Sequence, residues 1–545
     1  EAAERGAAVA RAAADAYARV AAANGGVAEV DLRAEEILHA FLLACEARTN
    51  RLIALGLQGL QRLVSYDQVQ LGQMPTIVSA VHAHAQSTDD TVQLKVLQTV
   101  LTLLQSAAVV PSDAEGTSAV LSICLRLFSN TRTAPNVAST AGATLRQAVG
   151  FVFEHATSEC GLTIAPAQRK GVTASEQGTA VSPEPSTPTP AMAPDADEET
   201  ATATALLLFA DLCTLAGGGS PSWLSSPPVP RSFALEILEF ILATRADIFM
   251  RVDAFNKLLR ERVVSLVMVS LNATSTRSAG SATDEAVATH RLLTQTVATI
   301  TKKFFTLLPT ECMVFLTSLL QGTSPSMPLW QRLCALDALR AAVGDFATVG
   351  RFAAQYATDE RGTNLVASIA SAAAREVHAL PLDEPLIMDP LHSLFAGVAK
   401  GVELTAEVEA AAAAENTNSG GANGGMSLAE CEARGLAIAI DTLCSLCRSC
   451  EALADATTST TVDREGSMAG AGEDASPPPP CSRDVAAATL AELAFTLLPP
   501  LKDLLTAATG ESLILEILKA YQAFTQAAGV LGQIEARDAF LASLC

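Results

Sequence analysis

Residues 92–104 read VQLKVLQTVLTLL, and this stretch decides the fold class. Its apolar residues form two helical stripes, 92/96/100/103 and 94/97/101/104. An ordinary surface helix of a globular protein carries a single apolar stripe, which faces the core. A helix with two stripes needs apolar neighbours on both sides, so we predict that this helix packs between other helices, with Leu97 and Leu101 both buried.

The composition favours an all-helical protein. Hydrophobic residues make up 49% of the 545 residues but aromatic residues only 4%, so the apolar mass consists mainly of Ala, Leu and Val. Ala and Leu are strong helix formers, and long period-two runs of β-branched residues are missing. A chain of this length is too long for one compact core, which favours several domains or a repeat array.

Amphipathic helical patterns follow one another along the chain and are joined by short connections. Successive helices must therefore run antiparallel. Repeated helical hairpins without strands are typical of a solenoid, whose inner helices contact both neighbouring repeats. We therefore predict an all-α, armadillo/HEAT-like α-solenoid of irregular helical hairpins. The predicted helices include 201–216, 231–244, 253–271, 387–411 and 428–452, and Pro135, Pro309 and Pro328 are among the residues that break the helical pattern.

Four stretches lack helical periodicity and are rich in Gly, Pro, Ser and Thr: 157–202, 272–285, 412–427 and 454–484. Segments of this composition cannot bury a core, and we interpret them as disordered insertions. We expect that 157–202 and 454–484 can be deleted without loss of folding. Three residues of the first insertion precede Pro and are either phosphorylation sites or unmodified filler: Ser182, Thr187 and Thr189.

The formal charge of −22 argues against a nucleic-acid-binding protein, which needs a basic surface. It also argues against direct adsorption to an anionic membrane surface. Short basic clusters do occur, at Lys302–Lys303 and in KLLRER (257–262), which contains Arg260 and Arg262. A solvated helix face and a partner-binding site both remain open for this second cluster.

Twelve cysteines in so long a chain do not indicate a disulfide framework, and several lie inside apolar helical patterns, where a free thiol behaves as a small hydrophobe. A reducing compartment fits best. Cys444, Cys447 and Cys450 in CSLCRSC have a spacing that resembles part of a metal-binding run, with Cys431 or Cys481 as a fourth ligand. Buried free thiols are the alternative, and we predict no metal and no cofactor. His82 and His84 are two residues apart on a predicted helix, so they point away from each other and cannot share a metal.

Motifs of catalysis are missing from the sequence. It contains no phosphate-binding Gly-Lys-Ser/Thr loop, no dinucleotide fingerprint, no His-Glu-x-x-His and no nucleophile elbow. The apolar runs, such as VVSLVMVSL (263–271), are far shorter than a membrane span. The sequence opens on Glu1 and closes within a helical pattern, so we expect a fragment of a longer chain.

Two long blocks resemble a known family. ILHAFLLACEARTNRLIALGLQGLQRLVSYDQV (37–69), LKVLQTVLTLLQSAAVV (94–110) and STAGATLRQAVGFVFEH (139–155) resemble the N-terminal dimerisation and cyclophilin-binding region of the Mon-two (monensin-sensitivity) family, which is related to the large Arf guanine-nucleotide exchange factors. RSFALEILEFILATRADIFMRVDAFNKLLRERVVSLVM (231–268) and PLWQRLCALDALRAAVGDFATVGRFAAQYATDE (328–360) resemble the homology region upstream of the Sec-seven domain.

The chain differs from the exchange factors in two places. Where they carry a Tyr-Asp-Cys-Asp type box, this chain reads QYATDE, which keeps Tyr356 and the acidic Asp359 but not the box; a plain loop at a helix end is the alternative. Where they continue into a catalytic Sec-seven domain, 381–510 shows Ala-rich helices and low-complexity loops. SLILEILKAYQAFTQAAGVLGQIEARDAFLASLC (512–545) then resembles the start of the downstream homology region, which is the Mon-two arrangement.

The resemblance implies five segments: a dimerisation/cyclophilin-binding-like domain (1–156), a disordered linker (157–202), an upstream-homology-like domain (203–380), Ala-rich helices (381–510) and the start of the downstream homology region (511–545). It implies a non-enzymatic, cytoplasmic scaffold, peripheral on the trans-Golgi network and endosomes, in vesicle-mediated protein transport and endosome-to-Golgi retrieval. The alternatives are the regulatory half of a true Arf exchange factor and a generic HEAT-type adaptor.

The implied partners are a Dopey-family protein with its phospholipid flippase, Arf-like small GTPases and a second copy of the chain. Membrane contact would be indirect or peripheral, and no nucleic acid is involved. The candidate partner-binding residues are Trp223, Arg260, Arg262, Tyr356 and Asp359. For Trp223, which follows GGGSPS, and for Trp330 at a helix start, the alternative is a ring packed over its own hairpin. The Ala-rich helix at 1–23 caps the first hairpin poorly, which favours self-association.

Overall fold

The fold is helical throughout the described part of the chain. The computed structural model describes residues 2–22, 35–47, 49–105, 114–162, 201–275, 283–358, 364–396, 427–466 and 480–544, together with Val408 and Ala411. No strand occurs within these ranges, and the all-α prediction is confirmed for them.

The helices are, in chain order, α1 Ala2–Ala22, α2 Glu35–Cys45, α3 Asn50–Ser65, α4 Met74–His84, α5 Asp90–Gln105, α6 Ala114–Ser129, α7 Pro135–Glu159, α8 Ala201–Ala216, α9 Arg231–Thr244, α10 Ala246–Arg251, α11 Asp253–Leu258, α12 Val264–Ser275, α13 Asp284–Phe304, α14 Pro309–Gly322, α15 Leu329–Val343, α16 Phe346–Thr358, α17 Leu365–Ala379, α18 Pro385–Ala396, α19 Leu428–Gly466, α20 Arg483–Ala507, α21 Glu511–Leu531 and α22 Ile534–Ala542. A 3₁₀ turn, Leu71–Gln73, precedes α4, and a π-helical segment, Leu259–Val263, joins α11 to α12.

The chain divides into two compact units. Unit 1 comprises Glu1–Leu215, Gly219–Val229 and Asp247–Asn256; unit 2 comprises Ala216–Gly218, Pro230–Ala246 and Lys257–Cys545. In unit 1, α3 packs on α5 and α5 on α7, while α4 packs on α6. In unit 2, α9, α13, α15, α19 and α21 follow one another in one row, and α12, α14, α17 and α20 in a second row. Packing of every second helix in parallel rows is the pattern of an armadillo/HEAT-like solenoid.

Helix α5 lies at the centre of unit 1 and contacts α3, α4, α6 and α7, as its two apolar stripes predict. Leu97 is buried, but Leu101 is only half-buried, so the prediction that both are fully enclosed is wrong for Leu101. The helix instead buries the polar side chains of Gln93, Thr99 and Thr102. Each of them donates a hydrogen bond to a backbone carbonyl, although Gln93 Oε1 accepts none from the described residues. The Thr99 hydroxyl donates to the Lys95 carbonyl over 2.8 Å, and the Gln93 amide to the Ser87 carbonyl over 2.7 Å.

Four fully buried phenylalanines pack together in the core of unit 1: Phe153 of α7, Phe209 of α8, Phe249 of α10 and Phe255 of α11. The ring centroids of Phe153 and Phe255 are 5.8 Å apart, and those of Phe209 and Phe249 are 4.9 Å apart. Aromatic residues on both sides of the linker thus share one core. The compact units therefore cut across the predicted division at 156 and 203.

The prediction that 454–484 is a removable insertion is wrong at both of its ends. Helix α19 extends to Gly466, and Ala454 and Thr457 are buried in it. Cys481 is also buried, and the Ser482 hydroxyl caps α20 by accepting from the Val485 amide. Apolar residues at helical spacing continue past 452, and this signal outweighs the polar composition that follows.

The other predicted boundaries differ less. The helix predicted over 253–271 is divided into α11, the π-helical segment and α12. Of the helix predicted over 387–411, the structure describes α18 with Pro390 inside it, and then Val408 and Ala411, both helical and buried. The phosphorylation candidates Ser182, Thr187 and Thr189 lie outside the described residues.

One described helix, α20, is long and apolar enough to cross a membrane by length and composition. Its inner face packs on α16, α17, α19 and α21, and 44% of its most apolar stretch is buried in the unit. A core helix of a helical stack passes the same test. Pro499 and Pro500 interrupt its hydrogen-bond ladder.

The structure describes both ends of the predicted linker 157–202, namely 157–162 and 201–202. Thr202 at the start of α8 donates from its amide (2.7 Å) and its hydroxyl (2.6 Å) to the Glu159 carboxylate at the end of α7. The two helix ends are therefore adjacent, and Thr157 is buried.

We expect that replacing 163–200 by a short Gly/Ser linker leaves the thermal unfolding midpoint unchanged, because a short loop closes the gap between α7 and α8 at little entropic cost. Deleting the whole of 157–202 should lower the midpoint. Equal melting curves for the two deletions would contradict this.

Candidate binding surfaces

Trp223 lies in a rigidly anchored loop between α8 and α9. Asp211 of α8 is 3% exposed, and its carboxylate accepts hydrogen bonds from the amides of Trp223 (2.7 Å), Leu224 (2.7 Å) and Ser222 (3.0 Å). The Ser222 hydroxyl adds a fourth at 3.1 Å. Charge-assisted bonds to a buried carboxylate are among the stronger hydrogen bonds in proteins, so one side chain fixes the conformation of the loop.

Helix α6 holds the same loop from the other side. The Ser118 hydroxyl donates to the Trp223 carbonyl over 2.6 Å, and the Ser225 amide donates to the Ser122 hydroxyl over 3.0 Å. The Trp223 side chain is half-buried. The loop thus presents a partly exposed indole from a backbone that is fixed on α6 and α8, which suits either a cap over the hairpin or a contact residue.

Arg260 and Arg262 lie on the π-helical segment of unit 2, and both are exposed. The Arg260 guanidinium donates to the Leu307 carbonyl over 2.6 Å and lies 3.8 Å from the Glu311 carboxylate. Arg260 therefore ties the π-helical segment to the turn between α13 and α14, a structural role. Arg262 has no such contact within the described residues and is the better candidate for a partner.

Tyr356 of α16 lines an open groove of about 570 Å³ in unit 2, whose other walls are α14, α17 and α20. We call it the polar groove, because eight of its ten lining residues carry polar side chains: Thr317, Gln321, Tyr356, Asn364, Ser368, Ser371, Arg375 and Glu492. Asp359, the other residue of the QYATDE stretch, lies outside the described residues.

A second groove, of about 370 Å³, lies between α1, α2 and α3 of unit 1, and its lining is almost wholly apolar. We call it the N-terminal groove. Tyr17 on α1 is 75% exposed and Leu55 on α3 is 53% exposed, and none of the α1 side chains that the structure describes is buried. The groove is therefore poorly capped, as the Ala-rich composition of α1 predicts.

Two glycines allow α2 and α3 to cross closely beneath this groove. A Cβ atom at Gly56 would lie 2.8 Å from the Phe41 carbonyl oxygen and 2.9 Å from the Cys45 amide nitrogen, which are backbone atoms that cannot move independently. A Cβ atom at Gly59 would meet the Phe41 ring at 2.2 Å. The close crossing fixes the floor of the N-terminal groove.

Family models match two successive parts of the chain. A model described as Mon2/Sec7/BIG1-like, dimerisation and cyclophilin-binding domain, matches residues 1–160, and one described as Mon2/Sec7/BIG1-like, HUS domain, matches 201–365. Together they cover more than half of the chain. The chain belongs to the Mon2/Sec7/BIG1-like family.

Curated relatives within this family are long proteins. The chain is 29% identical over 343 residues to Protein MON2 homolog of Drosophila melanogaster. The alignment covers 61% of this chain and 19% of that protein. It is 28% identical over 360 residues to Protein MON2 homolog of Homo sapiens. That alignment covers 64% of this chain and 20% of the human protein. The chain thus matches about a fifth of the length of these relatives.

Among solved structures, a chain of the Kap95:Nup1 complex aligns with 93% of this chain and 64% of its own length. The sequence identity is 11% and the TM-score is 0.31, a likeness too low to carry an argument.

Residues of the two family matches contact each other within unit 1. Ser118, Ser122 and Phe153 lie in the first family match, whereas Asp211, Trp223 and the other three phenylalanines lie in the second. The anchored Trp223 loop and the phenylalanine cluster therefore join the dimerisation and cyclophilin-binding domain to the HUS domain within unit 1.

The cysteines of CSLCRSC are buried on α19. Burial raises the pKa of Cys450 to about 12 and that of Cys447 well above its usual range, so both stay protonated thiols. Cys431 is buried in a hydrophobic cluster with Trp330 and Leu333. Within the described residues no group of three His, Cys, Asp or Glu side chains could hold a metal ion.

His82 and His84 lie on α4, and burial lowers the pKa of each, with the Arg126 charge lowering that of His82 further. Trp330 is buried, and its ring meets the His290 ring edge-on at 5.3 Å. Trp330 is therefore packed into its own unit, as the alternative interpretation held.

Sequence reasoning missed Asp211, Arg375 and Glu492. Asp211 had a usable signal, because it is the one charged residue in the apolar run LLLFADLCTLAG (206–217). Arg375 and Glu492 had none, since a groove built by residues more than a hundred positions apart leaves no local pattern.

Proposed function

We propose that this chain is the N-terminal regulatory part of a non-catalytic scaffold for membrane traffic at the trans-Golgi network and endosomes, and that it acts in endosome-to-Golgi retrieval. Its partners in this proposal are a Dopey-family protein with its phospholipid flippase, Arf-like small GTPases and a second copy of itself. Contact with the membrane is peripheral and made through these partners from the cytoplasmic side.

One observation carries the proposal. Beyond the HUS match, which ends at 365, the described helices α17 to α22 continue the rows of the same stack, with α17 on α14 and α19 on α15. This is where the resemblance to the exchange factors would place their catalytic Sec-seven domain. Described helices that extend the stack in its place support the Mon-two arrangement, in which the chain acts through binding surfaces rather than through a reaction centre.

A chimera tests this function. The fifth of the human MON2 homolog that aligns with this chain is replaced by this chain, and the chimera is expressed in human cells that lack the endogenous protein. We expect the chimera to concentrate at the trans-Golgi network and to restore the return of a retrieval cargo from endosomes. A diffuse chimera, or cargo that stays in endosomes while the intact human protein restores its return, would contradict the proposal.

Self-association is proposed to use the N-terminal groove. The groove is apolar and poorly capped, and it lies within the match to a dimerisation domain. Burying Tyr17 and Leu55 against a second copy removes apolar surface from water at about 25 cal/mol per Å². A carboxylate placed there would have to be desolvated on association.

We therefore expect a mass of twice 56.4 kDa by light scattering at micromolar concentration, and the monomer mass for the double variant Tyr17→Glu/Leu55→Glu. Both residues are exposed, so the variant should melt like the parent chain. Tyr66→Glu is the matched control, because Tyr66 is 73% exposed at the end of α3 but does not line the groove. A monomeric parent chain, or a dimer that survives the double variant, would remove self-association from the proposal.

A further inference from the structure

We propose that the polar groove of unit 2 binds an extended peptide segment of a partner protein, which carries one acidic and one basic side chain about five residues apart. This site is independent of the N-terminal groove and of the trafficking role proposed above. It rests on the charges, the hydrogen-bonding groups and the dimensions of the groove.

The groove holds two opposite charges that form no ion pair with any described residue. Arg375 of α17 is exposed, and its guanidinium makes one long contact, 3.4 Å to the Thr323 hydroxyl. Glu492 of α20 accepts a hydrogen bond from the Asn364 amide over 2.6 Å. Neither Arg375 nor Glu492 has an ion-pair partner within 4 Å among the described residues, although both line the same groove.

The distance between the two charges follows from helix geometry. Asn364 caps the start of α17 and holds Glu492 there, whereas Arg375 lies close to the other end of α17. At 1.5 Å per residue, the eleven positions between Asn364 and Arg375 correspond to about 16 Å. An extended peptide rises by about 3.3 Å per residue, so its complementary charges would lie about five residues apart.

The surface between the charges suits a peptide backbone. Gln321 offers an amide and Tyr356 a hydroxyl, and neither has a hydrogen-bond partner among the described residues. The hydroxyls of Ser368 and Ser371 donate to the carbonyls of Asn364 and Ala367, which leaves their oxygens free to accept from N–H groups. Together these donors and acceptors can pair with the N–H and C=O groups of an extended chain, which have no partners of their own.

Other classes of ligand fit this groove less well. A helix satisfies its own backbone groups and docks through an apolar face, but only Leu320 and Ala367 are apolar here. A nucleic acid or an anionic lipid head group would meet Arg375 but would be repelled by Glu492. Charge complementarity therefore favours a peptide of mixed charge.

A random dodecamer library displayed on phage and selected on the immobilised full chain tests the inference. The wild-type chain should enrich extended sequences with one acidic and one basic residue four to six positions apart. Arg375→Glu makes both ends of the groove acidic, so the selected peptides should carry two basic residues. Glu492→Lys makes both ends basic, so they should carry two acidic residues. Arg132→Glu reverses an exposed charge outside the groove and should select the wild-type pattern.

A fluorescein-labelled synthetic copy of the most enriched wild-type peptide then gives affinities by fluorescence polarisation. Arg375→Glu is expected to weaken binding at least tenfold, and Arg132→Glu to leave it unchanged. Since both groove residues are exposed, all variants should keep the wild-type melting curve. Failure to enrich any sequence, or enriched peptides whose charges do not follow the groove variants, would overturn the proposal without bearing on the Golgi function.

Discussion

Leu97→Asp is expected to unfold unit 1 of the full-length chain. Leu97 is 1% exposed on α5, the helix that contacts α3, α4, α6 and α7. The substitution removes a buried leucine, worth about 2 kcal/mol of transfer free energy, and introduces a carboxylate with no partner, which costs several kcal/mol more. The sum approaches the whole free energy of unfolding of a typical domain, about 5–15 kcal/mol.

Hydrogen exchange followed by mass spectrometry locates the effect. Amides of α3, α5 and α7 should lose their protection in Leu97→Asp, whereas those of α15, α19 and α21 in unit 2 keep theirs. Gln98→Asp is the matched control, because the exposed Gln98 is the next residue on the same helix. If α5 stays protected in Leu97→Asp, the two-sided burial of this helix is wrong.

Leu101→Asp should destabilise unit 1 less than Leu97→Asp, because Leu101 is only half-buried. Hydrophobic periodicity alone does not predict this difference. The two stripes predict that α5 is enclosed by helices, and it is. They do not show that Leu101 is only half-buried while Thr99 and Thr102 are buried. A threonine whose hydroxyl donates to the carbonyl four residues earlier can be buried like an apolar residue of similar size. A hydrophobicity pattern counts threonine as polar and therefore does not predict its burial.

Helix positions were predictable because each depends on local sequence. The predicted spans at 201–216 and 231–244 agree with α8 and α9, and Pro135, Pro309 and Pro328 mark the starts of α7, α14 and α15. The short helix α10 was missed, since six residues hold less than two turns of periodicity.

Membership of the units could not be predicted, because it depends on contacts between distant residues. The linker 157–202 suggested a domain boundary, yet Phe153 before it packs with Phe209 after it. The polar groove is a similar case, since Asn364 and Glu492 are 128 positions apart. Only the tertiary packing of α17 on α20 brings their side chains together.

The second large effect is expected at Asp211. Asp211→Leu leaves the amides of Ser222, Trp223 and Leu224 without their acceptor, in a loop that is otherwise held on α6 by Ser118 and Ser122. An unsatisfied buried donor costs about 1–3 kcal/mol. The Leu224 amide is buried, and the amides of Ser222 and Trp223 are partly screened from water. We therefore expect the free energy of unfolding of unit 1 to fall by about 3–5 kcal/mol.

Because the chain has two tryptophans, Trp223 and Trp330, fluorotryptophan labelling and ¹⁹F NMR give one signal in each unit. In Asp211→Leu the Trp223 signal should move towards the position of free fluorotryptophan, while the buried Trp330 signal stays in place as an internal reference. The thermal midpoint of unit 1 should fall by about 10 °C, given 2–4 °C per kcal/mol for a unit of this size.

Asp211→Asn separates the role of the charge from that of the side-chain shape. The amide keeps one acceptor oxygen but cannot serve all four donors, so its effect on the midpoint should lie between those of wild type and Asp211→Leu. If Asp211→Leu leaves the Trp223 signal in place, the loop is held by α6 alone. The Ser118 and Ser122 contacts would then be sufficient to fix the indole that we consider for partner binding.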